Sequence, residues 1–239
     1  MTVSAILLDA GGVLIFPQPD VMREPLMQAG LTPDLATLIR AHYRAMSVQD
    51  HPDTPEPTKD TWWRAYLVEY VAACGATSDA CGDIATAMAA AIRGFGWTYV
   101  GQDVPGSLRT IASLGVPLGV VSNSDGSVET ELRRLGVCYA PNGTDAHAEG
   151  VPMGVVLDSA VVGIAKPDPR IFGIALEALG VPADDTVLHI GDSLRYDVTG
   201  ALAAGIRPVH LDPYGFCPFP DGHLHITSLA EVPALVASL

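Results

Sequence analysis

The residues best suited to chemistry stand where apolar runs end or in the loops beside them. They fall in four places along the chain: Asp9, Ser122 with Asn123, Lys166, and Asp192 with Asp197. The run from Ala5 to Leu8 leads directly into Asp9, and two glycines follow one residue later. A short apolar run of this kind is typical of a buried parallel strand, and ligands bind at the carboxyl ends of such strands. We therefore expect these polar residues to meet at one edge of a sheet.

These residue types suit a phosphate group and a divalent metal. A carboxylate such as Asp9 can attack phosphorus and form an acyl-phosphate. Carboxylate, carbonyl and water oxygens are the ligands that Mg²⁺ selects, and Mg²⁺ neutralises phosphate and orients the attack. Ser122 and the amides around it can donate to phosphate oxygens, and Lys166 can hold them as a point charge. Each residue alone also fits an ordinary cap, turn or surface position, so the prediction depends on their order and spacing.

Hydrophobic periodicity divides the chain into an α/β part and a helical insertion. Residues 17–99 carry four apolar stripes at helical spacing, which predicts a four-helix insertion. Residues 1–16 and 100–239 alternate strand and helix patterns, and this predicts a parallel sheet with right-handed crossovers and helices on both faces. Later strands are expected at 116–121, 155–158, 186–190 and 208–211, whereas 138–154 shows no clear period and is predicted to be an irregular loop.

Composition and charge exclude several classes of partner. The 27 acidic residues outnumber the 13 lysines and arginines, and the formal net charge is −14. Such a surface repels nucleic acid and anionic membranes. No apolar run is long enough for a membrane helix, nothing resembles a signal peptide, and the four cysteines form no CxxC pair. We expect a cytoplasmic protein acting on a small molecule.

The order of these motifs resembles the haloacid dehalogenase (HAD) superfamily of hydrolases. The matching stretches are LLDAGGVL, VVSNS, AKPDPRIF and GDSLRYDVTGALAAG. The resemblance implies a Rossmann-like, doubly wound core formed by residues 1–16 and 100–239, with a mobile C1-type cap formed by 17–99. It also implies Mg²⁺ dependence, a small phosphorylated metabolite as the substrate, and an aspartyl-phosphate intermediate.

The resemblance also assigns roles to individual residues. Asp9 is the implied nucleophile, and Ser122 and Lys166 hold the transferred group. The implied metal ligands are Asp9, the backbone carbonyl of Gly11, Asp192 and Asp197, the last directly or through water. Asn123, Gly11 and Gly12 are the further predicted phosphate contacts.

Gly11 departs from the pattern of the family's phosphatases. Those enzymes usually read Asp-x-Asp here, and the second aspartate protonates the leaving group and then deprotonates the attacking water. Glycine keeps the carbonyl but loses this general acid-base assistance, which typically contributes about 10²- to 10⁴-fold. Water, Asp125 or a residue of the cap could replace it, and the sequence does not select among them.

Two other functions stay open. The chain could be a phosphate-binding or regulatory protein that has lost most turnover on this fold. It could also act at carbon. Haloacid dehalogenases carry an aromatic residue where Gly11 stands and need no metal. The carboxylates of Asp192 and Asp197 argue against dehalogenase chemistry in this chain. Phosphonoacetaldehyde hydrolases have a small residue there and a cap lysine that forms a Schiff base, for which Lys59 is the only candidate in the insertion.

Three histidines have no role in this scheme. His223 and His225 alternate in a short segment and are predicted to lie on the surface. His189 precedes Gly191 and Asp192 within a predicted strand. It is compatible both with core packing and with a place near the site.

Overall fold

The computed structural model describes residues 2–51, 54, 58–92, 94, 96–141 and 149–239. The chain divides into two compact units. The core unit consists of Met1–Ile15, Val100–Pro213 and Phe219–Leu239, and the helical unit of Phe16–Tyr99 and Tyr214–Pro218. Within the described residues, no helix combines the length and the apolar composition that a membrane span requires.

A parallel sheet forms the centre of the core unit, as predicted, and it has six strands. Its strand order is β10-β9-β8-β1-β4-β7. The strands are β1 (Ala5–Leu8), β4 (Leu118–Ser122), β7 (Val155–Asp158), β8 (Val187–Gly191), β9 (Arg207–Leu211) and β10 (Leu224–Ile226). All four residues of β1 are completely buried, which requires that both faces of the sheet be covered. Because every strand is parallel to its neighbours, the carboxyl ends lie at one edge.

Helices follow the strands of the core unit. They are α5 (Val104–Ala112), α6 (Val128–Arg134), α7 (Ser159–Val162), α8 (Arg170–Leu179), α9 (Thr199–Ala203) and α10 (Val232–Ser238). A short π-helix over Leu194–Val198 precedes α9, and a 3₁₀ turn over Leu229–Glu231 precedes α10. The apolar stripe of α8, which includes Ile171 and Phe172, packs in the same buried cluster as Leu7 and Val121 of the sheet. This layering is the doubly wound, Rossmann-like α/β arrangement.

The helical unit contains four helices. These are α1 (Pro19–Gln28), α2 (Leu35–Gln49), α3 (Lys59–Ala73) and α4 (Cys81–Ala91). The periodic apolar residues of the sequence form its core, among them Leu26, Leu38, Tyr66 and Met88. The aromatic residues of this insertion therefore pack mainly against one another, as their helical spacing indicates.

Short extended segments were not predicted. A two-stranded sheet joins β2 (Ile15–Pro17) and β3 (Trp97–Val100), and another joins β5 (Cys138–Tyr139) and β6 (Val151–Pro152). The second corrects the prediction of an irregular loop at 138–154, although residues 142–148 lie outside the described residues. Strands of two residues are too short to carry a period in sequence.

The unit boundaries differ from the predicted ones at two places. Phe16 and the segment Tyr214–Pro218 group with the helical unit. The ring of Phe16 lies 5.6 Å from that of His42, and the ring of Tyr214 lies 5.7 Å from that of Tyr43. Arg40 lies over the Phe216 ring at 5.2 Å. Strand and helix patterns do not reveal these aromatic contacts. They explain why 214–218 belongs to the helical unit although the residues on either side of it in sequence belong to the core unit.

Candidate active site

Asp9 stands at the carboxyl end of β1, where the chain turns sharply. Its backbone N–H still donates to Ile190 O of β8 at 2.8 Å, which continues the strand pairing by one residue. The turn closes when the amides of Leu14 and Ile15 both donate to Ala10 O. Gly12 has a φ of 71°, a conformation that a residue with a side chain rarely adopts. The second glycine is therefore required by the turn that presents Asp9.

Lys166 links two carboxylates in the interior of the core unit. Its Nζ lies 3.0 Å from Asp9 Oδ1 and 2.6 Å from Asp197 Oδ1. The Lys166 side chain is only 1% exposed, so the ammonium is held by these partners with almost no access to solvent. A buried charge of this kind is stable only when it is paired. Sequence reasoning predicted that Asp9, Lys166 and Asp197 converge, and the structure confirms it.

The electrostatics of the cluster shift the pKa values of its carboxylates in different directions. Burial raises the pKa of Asp9 to about 6; Lys166 opposes this rise, and Asp197 and Asp192 add to it. Burial also raises the pKa of Asp192 well above its usual value, as does the neighbouring charge of Asp197. For Asp197 itself, burial is outweighed by Lys166 and His189, which hold its pKa well below the usual value. Burial lowers the pKa of Lys166, but Asp197 and Asp9 more than offset this and raise it. The stable ion pair is thus Lys166 with Asp197.

Asp197 is fixed from several directions. His189, in β8, places Nε2 2.8 Å from Asp197 Oδ1, and the backbone N–H of Ser193 donates to Oδ2 at 3.1 Å. A Cβ on Gly191 would overlap the Asp197 carboxyl group, so the close approach requires glycine. His189 is completely buried, and its ring also packs edge-on against Phe172. His189 therefore belongs both to the core and to the site's hydrogen-bond network.

Asn123 holds the backbone of Lys166. Its Nδ2 donates to Lys166 O at 2.9 Å, and Lys166 N donates to its Oδ1 at 2.8 Å. The prediction gave Asn123 a phosphate contact, but its side chain is occupied on both sides by this pairing. The amide therefore fixes the loop from which the Lys166 ammonium enters the site.

Asp158 is a positioning residue that sequence reasoning missed. It ends β7, and its side chain accepts hydrogen bonds from Gly126 N at 2.9 Å and Val128 N at 3.2 Å. These bonds tie down the loop that follows Ser122, which is the last residue of β4. The available signal was a carboxylate at the end of a buried strand, the same signal that marked Asp9.

Asp125 is the one named residue among the candidates for the missing acid-base group, and the structure places it. It is exposed, and its Oδ1 accepts from the Ser127 N–H at 3.1 Å in a local turn. The side chain of Lys59, the Schiff-base candidate, lies outside the described part of the chain. No observation of the described residues therefore assigns the acid-base role to Asp125 or the Schiff-base role to Lys59.

The carboxylates at this edge fit a hard divalent cation. Asp9, Asp192 and Asp197 each place an oxygen within 4.8 Å of the others, and all three are buried. Mg²⁺ and ions like it prefer such oxygen ligands. Burial first, and then the neighbouring carboxylates, raise the pKa values of Asp9 and Asp192, and Lys166 offsets the negative charge of their ionised forms only in part. A cation held by Asp9 and Asp192 would balance that charge, while Asp197 is committed mainly to Lys166.

The stabilising effect of Mg²⁺ should depend on pH. Because the folded-state pKa of Asp9 is about 6, against 3.8 in the unfolded chain, its ionisation removes stability as pH rises through 6. Bound Mg²⁺ restores that stability at high pH, and protons compete with it at low pH. Mg²⁺ at 100 times its Kd contributes about 2.7 kcal/mol, or about 5 to 10 °C in unfolding midpoint for a chain of this size. At pH 5, we expect Mg²⁺ to raise the unfolding midpoint by about 3 to 5 °C less than it does at pH 7.5.

Thermal unfolding with and without MgCl₂, at pH 7.5 and pH 5, measures this difference. NaCl at equal ionic strength is the control for general salt effects. Equal Mg²⁺ shifts at the two pH values would contradict the assignment of Asp9 to the cation site.

Comparison with known proteins agrees with the geometry of the site. A sequence model of the family described as haloacid dehalogenase-like hydrolase matches residues 3–205. Haloacid dehalogenase-like hydrolase domain-containing protein 3 of Danio rerio is 34% identical over 143 residues, which are 56% of this chain and 51% of that protein. Phosphoserine phosphatase of Thermus thermophilus is 48% identical over 58 residues, 24% of this chain and 23% of that protein. The chain thus spans about half, or less, of these relatives.

Solved structures share the fold over almost the whole chain. A 2-haloacid dehalogenase from Pseudomonas syringae has a TM-score of 0.57 at 23% identity and covers 99% of both chains. The HAD-hydrolase YfnB from Bacillus subtilis, bound to magnesium, has a TM-score of 0.63 at 14% identity and also covers 99% of both. Such identities show the fold alone. The family match over residues 3–205 and the cluster around Asp9 together establish that the chain belongs to the haloacid dehalogenase-like hydrolase family.

Proposed function

We propose that this chain hydrolyses small phosphate monoesters through an aspartyl-phosphate on Asp9, with Mg²⁺ as cofactor. The observation that carries the proposal is the buried cluster in which Asp9 lies 3.0 Å from the Lys166 ammonium and beside Asp192 and Asp197. This cluster offers a nucleophile, a fixed positive charge and a set of oxygen ligands. Phosphoryl transfer needs that combination, because it depends mainly on positioning and charge stabilisation.

In the first step, an Asp9 oxygen bonds to phosphorus as the bond to the ester oxygen breaks. Lys166 and the Ser122 hydroxyl hold the phosphoryl oxygens, and Asp197 with His189 keeps the Lys166 ammonium charged and in place. Asp9, Asp192 and the Gly11 carbonyl would hold Mg²⁺, which would supply charge neutralisation. Water protonates the leaving oxygen, because Gly11 has no acidic side chain. In the second step, water attacks phosphorus, inorganic phosphate leaves and the Asp9 carboxylate is restored.

Relatives support phosphate chemistry. One matching protein is named phosphoserine phosphatase and another N-acylneuraminate-9-phosphatase, the latter from Homo sapiens and 37% identical over 90 residues. One structural neighbour is described as bound to magnesium. The substrate class proposed here, a small phosphorylated metabolite, is what these names have in common.

A specific observation favours a second candidate function. Gly11 removes the usual acid-base group, and the one replacement that the structure fully describes, Asp125, is exposed and bonded to its own turn. A chain that binds phosphate and Mg²⁺ but turns over slowly would act as a binding or regulatory module. Carbon-centred chemistry is less well supported, although dehalogenases are among the structural neighbours. A metal-free displacement at carbon would use Asp9 as nucleophile but gives the buried carboxylate of Asp192 no role.

One assay separates the three functions. Purified chain is incubated with p-nitrophenyl phosphate, with an alkyl phosphate, and with a 2-haloalkanoate, each with Mg²⁺ and with EDTA. We expect Mg²⁺-dependent phosphate release, faster from the aryl ester because its leaving group departs with little protonation. Halide release that EDTA leaves unchanged would overturn the proposal in favour of a dehalogenase. Binding of phosphate and Mg²⁺ by calorimetry without any release would favour the binding module.

A further inference from the structure

A cluster of three histidines lies at the edge of the sheet opposite β7. In the parallel pair β9 and β10, His210 stands directly opposite His225. His223 precedes His225 by two residues, so the alternation along a strand puts both on the same face as His210. The ring centroids of His223 and His225 are 4.4 Å apart, and that of His210 is 5.3 Å and 5.2 Å from them. The predicted surface position of His223 and His225 is therefore wrong, since both are half-buried in this stack.

The hydrogen bonds of His210 define its tautomer. Its Nε2 lies 3.2 Å from Asp192 O, a carbonyl that can only accept, so Nε2 carries the proton. In the neutral ring, Nδ1 then has a lone pair, and it faces His223 Nε2 at 3.2 Å. A histidine that donates its far N–H to a backbone carbonyl is the arrangement that orients metal-binding imidazoles.

His225 supplies an independent observation. Its Nε2 is buried and has no hydrogen-bond partner among the described residues. A buried polar atom of this kind destabilises the fold unless a partner satisfies it. One ring nitrogen from each of the three histidines lies within 4.8 Å of the others.

The distance between the histidine nitrogens suits a single bound metal ion. With metal–nitrogen bonds of about 2.0 to 2.1 Å, two nitrogens in a tetrahedral site lie about 3.3 Å apart. The 3.2 Å between His210 Nδ1 and His223 Nε2 already matches this value. Imidazole nitrogens select zinc, copper, nickel or iron over magnesium.

We propose that His210, His223 and His225 form a second metal site, for a divalent transition metal of the zinc type. The site is separate from the carboxylate cluster of Asp9 but connected to it. The backbone of Asp192 receives the His210 N–H, so the ion would stiffen the strand end from which Asp192 extends.

Metal titration of the purified, tag-free chain tests this site. Co²⁺ is added in the presence of excess Mg²⁺, which occupies the oxygen ligands, and the visible absorption of Co²⁺ reports the environment of the ion. We expect one Co²⁺ per chain, displaced by Zn²⁺ and not by Mg²⁺. His223→Ala and His225→Ala should each weaken binding by about tenfold or more. Asp192→Asn, whose backbone carbonyl remains, should bind Co²⁺ as the wild type does.

The control and a second measurement keep the result decisive. His51→Ala removes an exposed histidine of the helical unit and should leave Co²⁺ affinity unchanged. Circular dichroism verifies that each variant is folded, and His225→Gln replaces His225→Ala if the latter is not. X-ray absorption of the zinc-loaded wild type should show imidazole nitrogens at about 2.0 Å. Absence of Co²⁺ binding under excess Mg²⁺, wild-type affinity in the His223 and His225 variants, or an all-oxygen zinc shell would each overturn the proposal.

Discussion

Replacing Asp9 by asparagine should lower phosphate release from p-nitrophenyl phosphate by about 10⁴-fold or more, the scale expected when a covalent nucleophile is removed. An amide is a far weaker nucleophile than a carboxylate and cannot form the acyl-phosphate. The substitution keeps the size of the side chain and leaves Lys166 paired with Asp197 at 2.6 Å. The loss should therefore appear in kcat and should not be rescued by more Mg²⁺ or substrate.

The variant's stability separates lost chemistry from lost structure. Burial first, and then Asp197 and Asp192, make the ionised form of Asp9 unfavourable in the folded state, whose pKa is about 6. A neutral amide at this position removes that cost at pH 7, so the cation-free variant should unfold at the same temperature or higher. Asp185→Asn, an exposed carboxylate paired with Arg207, is the matched control and should keep full activity. Release by Asp9→Asn within tenfold of wild type would show that another group attacks phosphorus.

The sequence predicts the sheet and the converging charges for one physical reason. Strands buried on both faces must be continuously apolar, so the run before Asp9 marks both a central strand and its functional end. The parallel direction then brings Asp9, Asp192 and Asp197 to one edge without any knowledge of side-chain contacts. Asp158 obeys the same rule and could have been found by it.

What could not be predicted is the direction of individual side chains. Asn123 faces the backbone of Lys166, and nothing in the motif distinguishes that from a phosphate contact. β10 is only three residues long and contains a histidine, so neither its length nor its hydrophobicity indicates a strand. Its pairing with β9 is what moves His225 from an expected surface position into a half-buried stack. Such positions depend on tertiary pairing that local periodicity does not encode.

Replacing Gly11 by aspartate should raise kcat/KM for an alkyl phosphate by about 10² to 10⁴-fold, the usual contribution of a positioned general acid and base. An alkoxide leaves only when it is protonated, and position 11 of the wild type has no acidic side chain for that purpose. The backbone permits the change, because φ is positive at Gly12, at 71°, and not at Gly11. An L residue therefore fits position 11 without the strain that it would meet one residue later.

The comparison of substrates identifies the cause of any gain. An aryl phosphate needs little protonation, so Gly11→Asp should change its turnover by less than about tenfold while the alkyl ester gains strongly. Gly11→Asn adds a side chain of the same size without an ionisable group and should give no gain on either ester. A gain with Asn would mean that position 11 acts through packing or backbone rigidity. A gain confined to Asp and to the alkyl ester would show that the Asp9 cluster is a working phosphotransfer site that lacks one acid, and that the glycine restricts the chain to esters with good leaving groups.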